Sequence, residues 1–202
     1  METQERILDT AFDLFRQFGT RSITMDDIAQ KMGVSKKTLY AHFVDKNEMV
    51  VHAITRFLRV MDQEFKTNQE QATDAIDELF QVMNMLDKNF RNMSPVIMLD
   101  LQKFHASAFQ VFQDFKNNSL QKTIRDNLER GIREGLYRKD FDVDIMTQYR
   151  LTTAMLCFQP DIFPLGKYEL AKVQCILLEH FMYGLVSKDG YLRVEEKKLQ
   201  LQ

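Results

Sequence analysis

In the stretch "VSKKTLYAHF", Ser35, Lys36, Lys37, Thr38, Tyr40 and His42 bring two ammonium groups, two short hydroxyls, a phenol and an imidazole close together. Lys46 adds another cation a little further on. These groups donate hydrogen bonds and carry positive charge. They complement a DNA major groove, where base edges offer acceptors and phosphates line both rims. Taken singly, each has a plainer reading: the lysines a solvated face, Tyr40 a rim residue, His42 a half-exposed histidine. Their grouping acquires meaning only from the elements that hold them.

Elsewhere the reactive side chains form no catalytic arrangement. His105, His180, Cys157 and Cys175 make no nucleophile–base pair by spacing, and no HExxH, phosphate-loop or dinucleotide motif occurs. Cys175 and His180 fall off a common helical face, so no metal site is expected there. The adjacent carboxylates of Asp26 and Asp27 read as helix-capping groups near the positive end of a helix dipole. Neither an enzyme, nor a metal site, nor a cofactor is expected.

The composition favours helices. The chain has 202 residues, 45% of them hydrophobic, with only 7 Gly and 3 Pro. Its formal charge of −2 gives no overall attraction for nucleic acid, so any such role rests on a local patch within about a Debye length of the phosphates. No apolar run approaches the roughly 18 residues that span a bilayer. The opening "METQERILDTAF" lacks the basic-then-apolar character of a signal peptide. Two thiols without CxxC spacing suit buried, free cysteines in a reducing compartment. A cytoplasmic protein is expected.

Apolar residues recur at three- and four-residue spacing almost throughout, which predicts an all-α protein. The first helix carries Ile7, Leu8, Ala11, Phe12 and Phe15 on one side and stops at Gly19. Thr24 caps a second helix, Gly33 breaks it, and Ser35 caps a third. Asp45 opens a fourth, with Glu48 at capping-box spacing, running to the high 60s. Further helices are expected over about 72–91, from Ser94-Pro95 to about 135 with a break near Asn117-Asn118, over 142–159 and over 167–187. The polar tail from Ser187 is assigned no element. Residues 24–43 thus read as helix, glycine turn and helix. Ile28, Ala29, Met32, Val34, Leu39 and Phe43 turn inward against Phe12 and Phe15, leaving the donor cluster outside.

The segment "TMDDIAQKMGVSKKTLYAHFVDKNEM", preceded by "RILDTAFDLFRQFG", resembles the DNA-binding head of the TetR/AcrR family of bacterial transcriptional regulators. The shared elements are T-x-x-x-I-A in the second helix, the G-V-S turn, T-L-Y-x-H-F in the recognition helix and a lysine opening the fourth. The resemblance covers about residues 5 to 50. It implies that Lys36, Lys37 and Thr38 meet bases or nearby phosphates, that Tyr40 and His42 contact the DNA backbone, and that Lys46 and Thr24 hold phosphates at helix N-termini. It divides the chain into a helix-turn-helix domain, 1–46, and a helical ligand-binding and dimerisation domain, 47–202. It further implies a ligand-responsive repressor acting on double-stranded DNA.

One short recognition helix covers few base pairs, so a two-fold dimer on a palindromic operator is the economical arrangement. The last two long helices carry more apolar surface than one packing needs. Ile145, Tyr149, Thr152, Thr153, Leu156, Leu177, Leu178, Phe181, Met182 and Leu185 are therefore expected either at a homodimer interface or in a monomer core. Phe90, Gln102, His105, Phe109, Tyr149 and Met155 fall in Met- and Phe-rich stretches that read either as core or as the lining of an apolar effector pocket. Two rivals stand beside this reading: a helical protein-interaction module that does not bind DNA, and a small-molecule-binding enzyme. Lys36, Lys37 and Lys46 argue against the first, since such a module would not need them.

Overall fold

A computed structural model describes residues 3–200. Among them are eleven α-helices, one π-helical turn and no strand; the only β feature is an isolated antiparallel bridge between Tyr137 and Val186. The chain divides into two compact units, one comprising Met1–Met61 with Asn92–Phe115, the other Asp62–Arg91 with Lys116–Gln202.

The first unit holds α1 (Thr3–Phe18), α2 (Met25–Met32), α3 (Lys36–Tyr40), the start of α4 (Lys46–Gln71), α6 (Val96–Phe104) and α7 (Ala106–Phe115). Its core follows from amphipathic spacing. Ile7, Ala11 and Phe15 of α1 are fully buried, as are Ile28 of α2, Leu39 of α3 and Met49 and Val50 of α4. Phe12 stacks on Phe57, with ring centroids 4.4 Å apart. Burying such a side chain contributes about 1.5–3 kcal/mol, so this small core is mainly hydrophobic in origin. Ion pairs of Arg56 with Asp9 at 2.8 Å and Glu5 at 3.3 Å join α4 to α1.

α6 packs within the same unit, which local sequence signals do not reveal. Asp100, 7% exposed, accepts hydrogen bonds from the Arg21 backbone N–H at 2.8 Å and the Thr20 hydroxyl at 3.4 Å. The Ser94 backbone N–H donates to the Arg16 carbonyl at 2.7 Å. The expected continuous helix after Pro95 instead breaks at His105, whose φ of −135° and ψ of 63° leave helical space. Near Asn117-Asn118 the chain makes a π-helical turn, Lys116–Leu120.

The second unit contains the end of α4, α5 (Ala75–Phe90), α8 (Gln121–Arg133), α9 (Val143–Leu156), α10 (Leu170–Leu185) and α11 (Lys188–Gln200). Asp74 and Asp142 cap α5 and α9 by accepting from backbone N–H groups of their first turns. Beside the apolar core lies a matched polar cluster. The buried Glu78 carboxylate meets Arg130 at 3.1 Å, and Arg130 also reaches Glu134 at 2.7 Å. Arg130 donates further to the carbonyls of Gln69 at 3.2 Å and Ala72 at 2.9 Å. Asn127 donates to the Ala75 carbonyl and accepts from the Tyr137 hydroxyl, each at 3.0 Å. Burial pushes the Glu78 carboxyl above its ordinary value, with Arg130 opposing.

α11 is a helix where the sequence suggested only a polar tail. Ser187 caps its start, accepting from the Gly190 N–H at 3.1 Å. Arg193 pairs with Asp74 at 2.8 Å and Lys197 with Asp77 at 2.7 Å, tying the helix to the start of α5. A Cβ on Gly190 would lie 2.0 Å from the Leu136 carbonyl oxygen, so only glycine permits this approach.

Candidate nucleic-acid interface

The donor cluster is positioned by three local devices. Thr24 forms a full capping box: its hydroxyl accepts from the Asp27 N–H at 3.2 Å, and Asp27 accepts from the Thr24 N–H at 2.7 Å. That bonding holds the Asp27 carboxyl below its usual value. Gly33 ends α2 in the left-handed region, φ 68° and ψ 30°, and the following Val34 N–H returns to the Ala29 carbonyl at 3.0 Å. Ser35 then caps α3, accepting from the Thr38 N–H at 3.2 Å, with the two hydroxyls 2.9 Å apart. Each device satisfies backbone groups that a helix end leaves open, and together they turn the chain sharply between α2 and α3.

Below this turn Leu39 and Phe43 are buried, which fixes which face of α3 looks outward. Ser35, Lys36, Lys37 and His42 are exposed, and Tyr40 is 48% exposed. Thr24 is exposed as well; Thr38 and Lys46 are half-buried. The recognition helix spans five residues, shorter than the two turns its sequence suggests. Among the described residues Lys37 makes no ion pair. Lys36 does: its ammonium lies 2.9 Å from Asp26 of α2, and this bonding raises its pKa. An acid of the second helix thus sits directly beside the cationic patch.

Lys46 opens α4, where the helix dipole favours an anion and the Asp45 carboxylate already accepts from the Glu48 N–H at 2.8 Å. Burial lowers its pKa, while the neighbouring carboxylates of Asp100 and Asp27 pull it back up. On the next residue, Asn47 Oδ1 sits 2.6 Å from His105 Nδ1. Burial and then the Lys46 charge hold the His105 imidazole below its ordinary pKa, so it is neutral near pH 7. Asp100 of α6 and His105 just after it therefore border the phosphate-binding candidate, a long-range arrangement with no local signature.

The residues expected around an effector are spread over both units. Gln102, exposed, belongs to the first, as do His105 and Phe109, the latter stacked 6.2 Å from Phe112. Phe90, Tyr149 and Met155 belong to the second, where Phe90 meets Phe158 edge-on at 6.1 Å. The expected pairing residues need a correction. Leu178, Phe181, Met182 and Leu185 are at most 4% exposed within the chain itself, so they have no free side-chain surface to give a partner. Thr153 and Leu156 are half-buried. Ile145 and Tyr149 of the same expected set do face outward from α9, at 66 and 46% exposure, and Ile176 does so from α10 at 53%.

Cys157 and Cys175 are free thiols, the first buried as expected and the second only half-buried. Burial pushes the Cys157 thiol up to about 12, so it is not a poised nucleophile. Among the described residues no group of three or more His, Cys, Asp or Glu is placed to hold a metal ion. None of their helices is long and apolar enough to cross a membrane.

Comparison with known proteins agrees with this geometry. The model of bacterial regulatory proteins of the tetR family matches residues 7–53. The HTH-type transcriptional repressor KstR2 of Mycobacterium tuberculosis is 29% identical over 150 residues, 71% of this chain and 73% of that protein. The HTH-type transcriptional regulator YvaF of Bacillus subtilis is 29% identical over 112 residues, 55% of this chain and 58% of YvaF. The solved structure of the ketosteroid transcriptional regulator KstR2 of M. tuberculosis matches with a TM-score of 0.65 at 23% identity. That match covers 93% of this chain and 96% of that one, and it speaks to the fold.

Proposed function

We propose that this chain, whose residues 7–53 match the tetR family of bacterial regulatory proteins, is a DNA-binding transcriptional regulator that acts as a ligand-responsive repressor, gripping a palindromic operator as a homodimer. The observation that carries the DNA-contact assignment is the capped α2–turn–α3 unit with Lys37, Tyr40 and His42 exposed on its outer side. Lys36, Lys37 and Thr38 reach base edges or the phosphates beside them. Lysine serves guanine O6/N7 and phosphate equally well, so operator sequence is not assigned to it. Tyr40, His42, Ser35 and Thr24 contact the backbone, and Lys46 holds a phosphate with the N–H groups of its own helix end.

In this reading two chains pair through the outward stripe of α9 and α10, with Ile145, Tyr149, Thr152 and Leu156 on one helix and Ile176, His180 and Gly184 on the other. Half-buried Leu156 lies at its edge. Two heads then enter successive major grooves about 34 Å apart. α4 starts in the first unit and ends in the second, so an effector held by the second unit acts on the heads through it. The repressor assignment follows KstR2, whose name states that activity. A cytoplasmic location follows the same reading.

The test is a fluorescence-anisotropy titration of the full chain against DNA from upstream of its own coding sequence, repeated across salt concentrations. Affinity should fall steeply with salt, and Lys46→Ala should flatten the logarithmic slope by about one ion per head. Salt-insensitive binding, or an unchanged slope in Lys46→Ala, would remove Lys46 from the phosphate contacts. Absence of any DNA binding would favour a protein-interaction module.

A further inference from the structure

Charges inside proteins are paired, because an unpaired ion in a low-dielectric interior loses its hydration without recompense. Arg130 obeys this rule, with two carboxylates and two backbone carbonyls around its guanidinium. Arg150 of α9 does not. It is 6% exposed, and among the described residues nothing accepts a hydrogen bond from its Nη1. The groups acting on its charge are the thiols of Cys157 and Cys175 and the phenol of Tyr149, with no carboxylate among them. The acids closest to that neighbourhood act on Cys175 rather than Arg150 and are already engaged, Asp87 by Arg91 and Glu179 by Lys198.

A second unmatched group lies alongside. Gln174 of α10, 3% exposed, donates its amide N–H groups to the Ala154 carbonyl at 2.7 Å and to the Cys157 sulfur at 3.0 Å. Those contacts fix the amide, since flipping it would set two acceptor oxygens 2.7 Å apart. The remaining oxygen, Oε1, receives no donor among the described residues. A buried cationic donor and a buried neutral acceptor therefore both border Cys157. Ala154 of α9 and, just past the end of that helix, Cys157 and Phe158 are apolar and buried.

We propose that the second unit carries a binding site for a small organic carboxylate, whose acid group pairs with the Arg150 guanidinium while Gln174 Oε1 takes a hydrogen-bond donor from the same molecule. The bound acid supplies the counter-charge that the fold omits. Its apolar portion lies against the aliphatic and aromatic side chains of α9. A hydrophobic core has no use for a lone guanidinium, and methionine would fill the same volume at less electrostatic cost. As the chemical class of the effector, this assignment rests on the ligand-responsive reading above; as a binding site it is judged without DNA.

The experiment is isothermal titration of the full chain with butyrate, octanoate, decanoate and benzoate, each against its neutral amide, and with inorganic phosphate. At least one carboxylate should bind more tightly than its amide. Arg150→Met should weaken that carboxylate by about ten- to a hundredfold and leave the amide unchanged. Gln174→Leu should fold and weaken ligands bearing a hydroxyl or N–H group. Equal binding of every acid and amide to the wild type overturns the proposal with no variant needed. So does equal carboxylate affinity in wild type and Arg150→Met, or phosphate binding as tightly as any organic acid. The operator titration repeated with saturating carboxylate separates the two readings. Arg150-dependent binding with unchanged operator affinity keeps the site and removes its regulatory role. Salt-dependent DNA binding without any Arg150-dependent ligand keeps the regulator and removes the site.

Discussion

The cations of the first unit and those of the second are treated in opposite ways. In the first, Lys36 and Lys37 stand in water on a short helix whose inner face is locked by Leu39. In the second, Arg130 and Arg150 are drawn into the fold, one saturated with acceptors and the other with none on Nη1. Exposed charge attracts partners at a distance and yields to salt. Buried charge is either mortar or a receptor, and its hydrogen-bond complement tells which.

Four measurements sharpen or break this contrast. The largest effect belongs to Arg130→Met, which strands the buried Glu78 carboxylate and should lower unfolding free energy by about 3–5 kcal/mol in urea denaturation at pH 7. The same substitution at the other arginine should act in the other direction. Without ligand, Arg150→Met should leave stability unchanged or raise it by about 1–4 kcal/mol, because it removes a buried ion rather than half a pair. Comparable losses in both variants would erase the distinction between mortar and receptor. In the first unit, Thr24→Ala should cost about 1 kcal/mol through the lost capping box, visible as a lower thermal midpoint.

The smallest effect is a pH dependence. His105 has its pKa lowered in the folded state by burial and by Lys46, so the unfolded chain takes up its proton more readily. Its contribution to stability is present above the unfolded value of about 6.5 and is lost as pH falls through the folded one. Between pH 7.5 and 5.5 the thermal midpoint of wild type should therefore drop more than that of His105→Gln. Parallel curves would show that the imidazole stays outside the Asn47–Lys46 neighbourhood in solution.

What was legible in the sequence was what depends on near neighbours. Thr24, Gly33, Ser35 and Asp142 announce helix ends because their side chains or backbone freedom act within a few residues. The outward set on α3 followed from the inward one by helical geometry. What was hidden depends on distant partners. α11 looks like a polar tail because Gly190 reads as a breaker and the lysines and arginine read as solvated, whereas Asp74, Asp77 and the Leu136 carbonyl give each its role. The break at His105 carries no glycine or proline to signal it. Leu178, Phe181, Met182 and Leu185 could not be divided between the chain's own core and a partner, since both bury apolar surface alike. Arg150 did leave a trace: with Thr147, Leu151 and Ala154 it lies on the buried side of α9, an arginine where the period asks for an apolar residue.

The pairing of Lys36 with Asp26 has a consequence for how the protein searches a chromosome. Before Lys36 can touch any polyanion it must abandon a carboxylate that then remains beside the incoming strand as a repelling neighbour. An exposed pair of this kind is weak and screened by salt, so the handicap per head is small. It falls on every stretch of DNA alike, and only a site whose other contacts compensate would hold the head for long. With Lys36 among the proposed DNA contacts, Asp26 would shorten unproductive stops and leave the protein freer to move on.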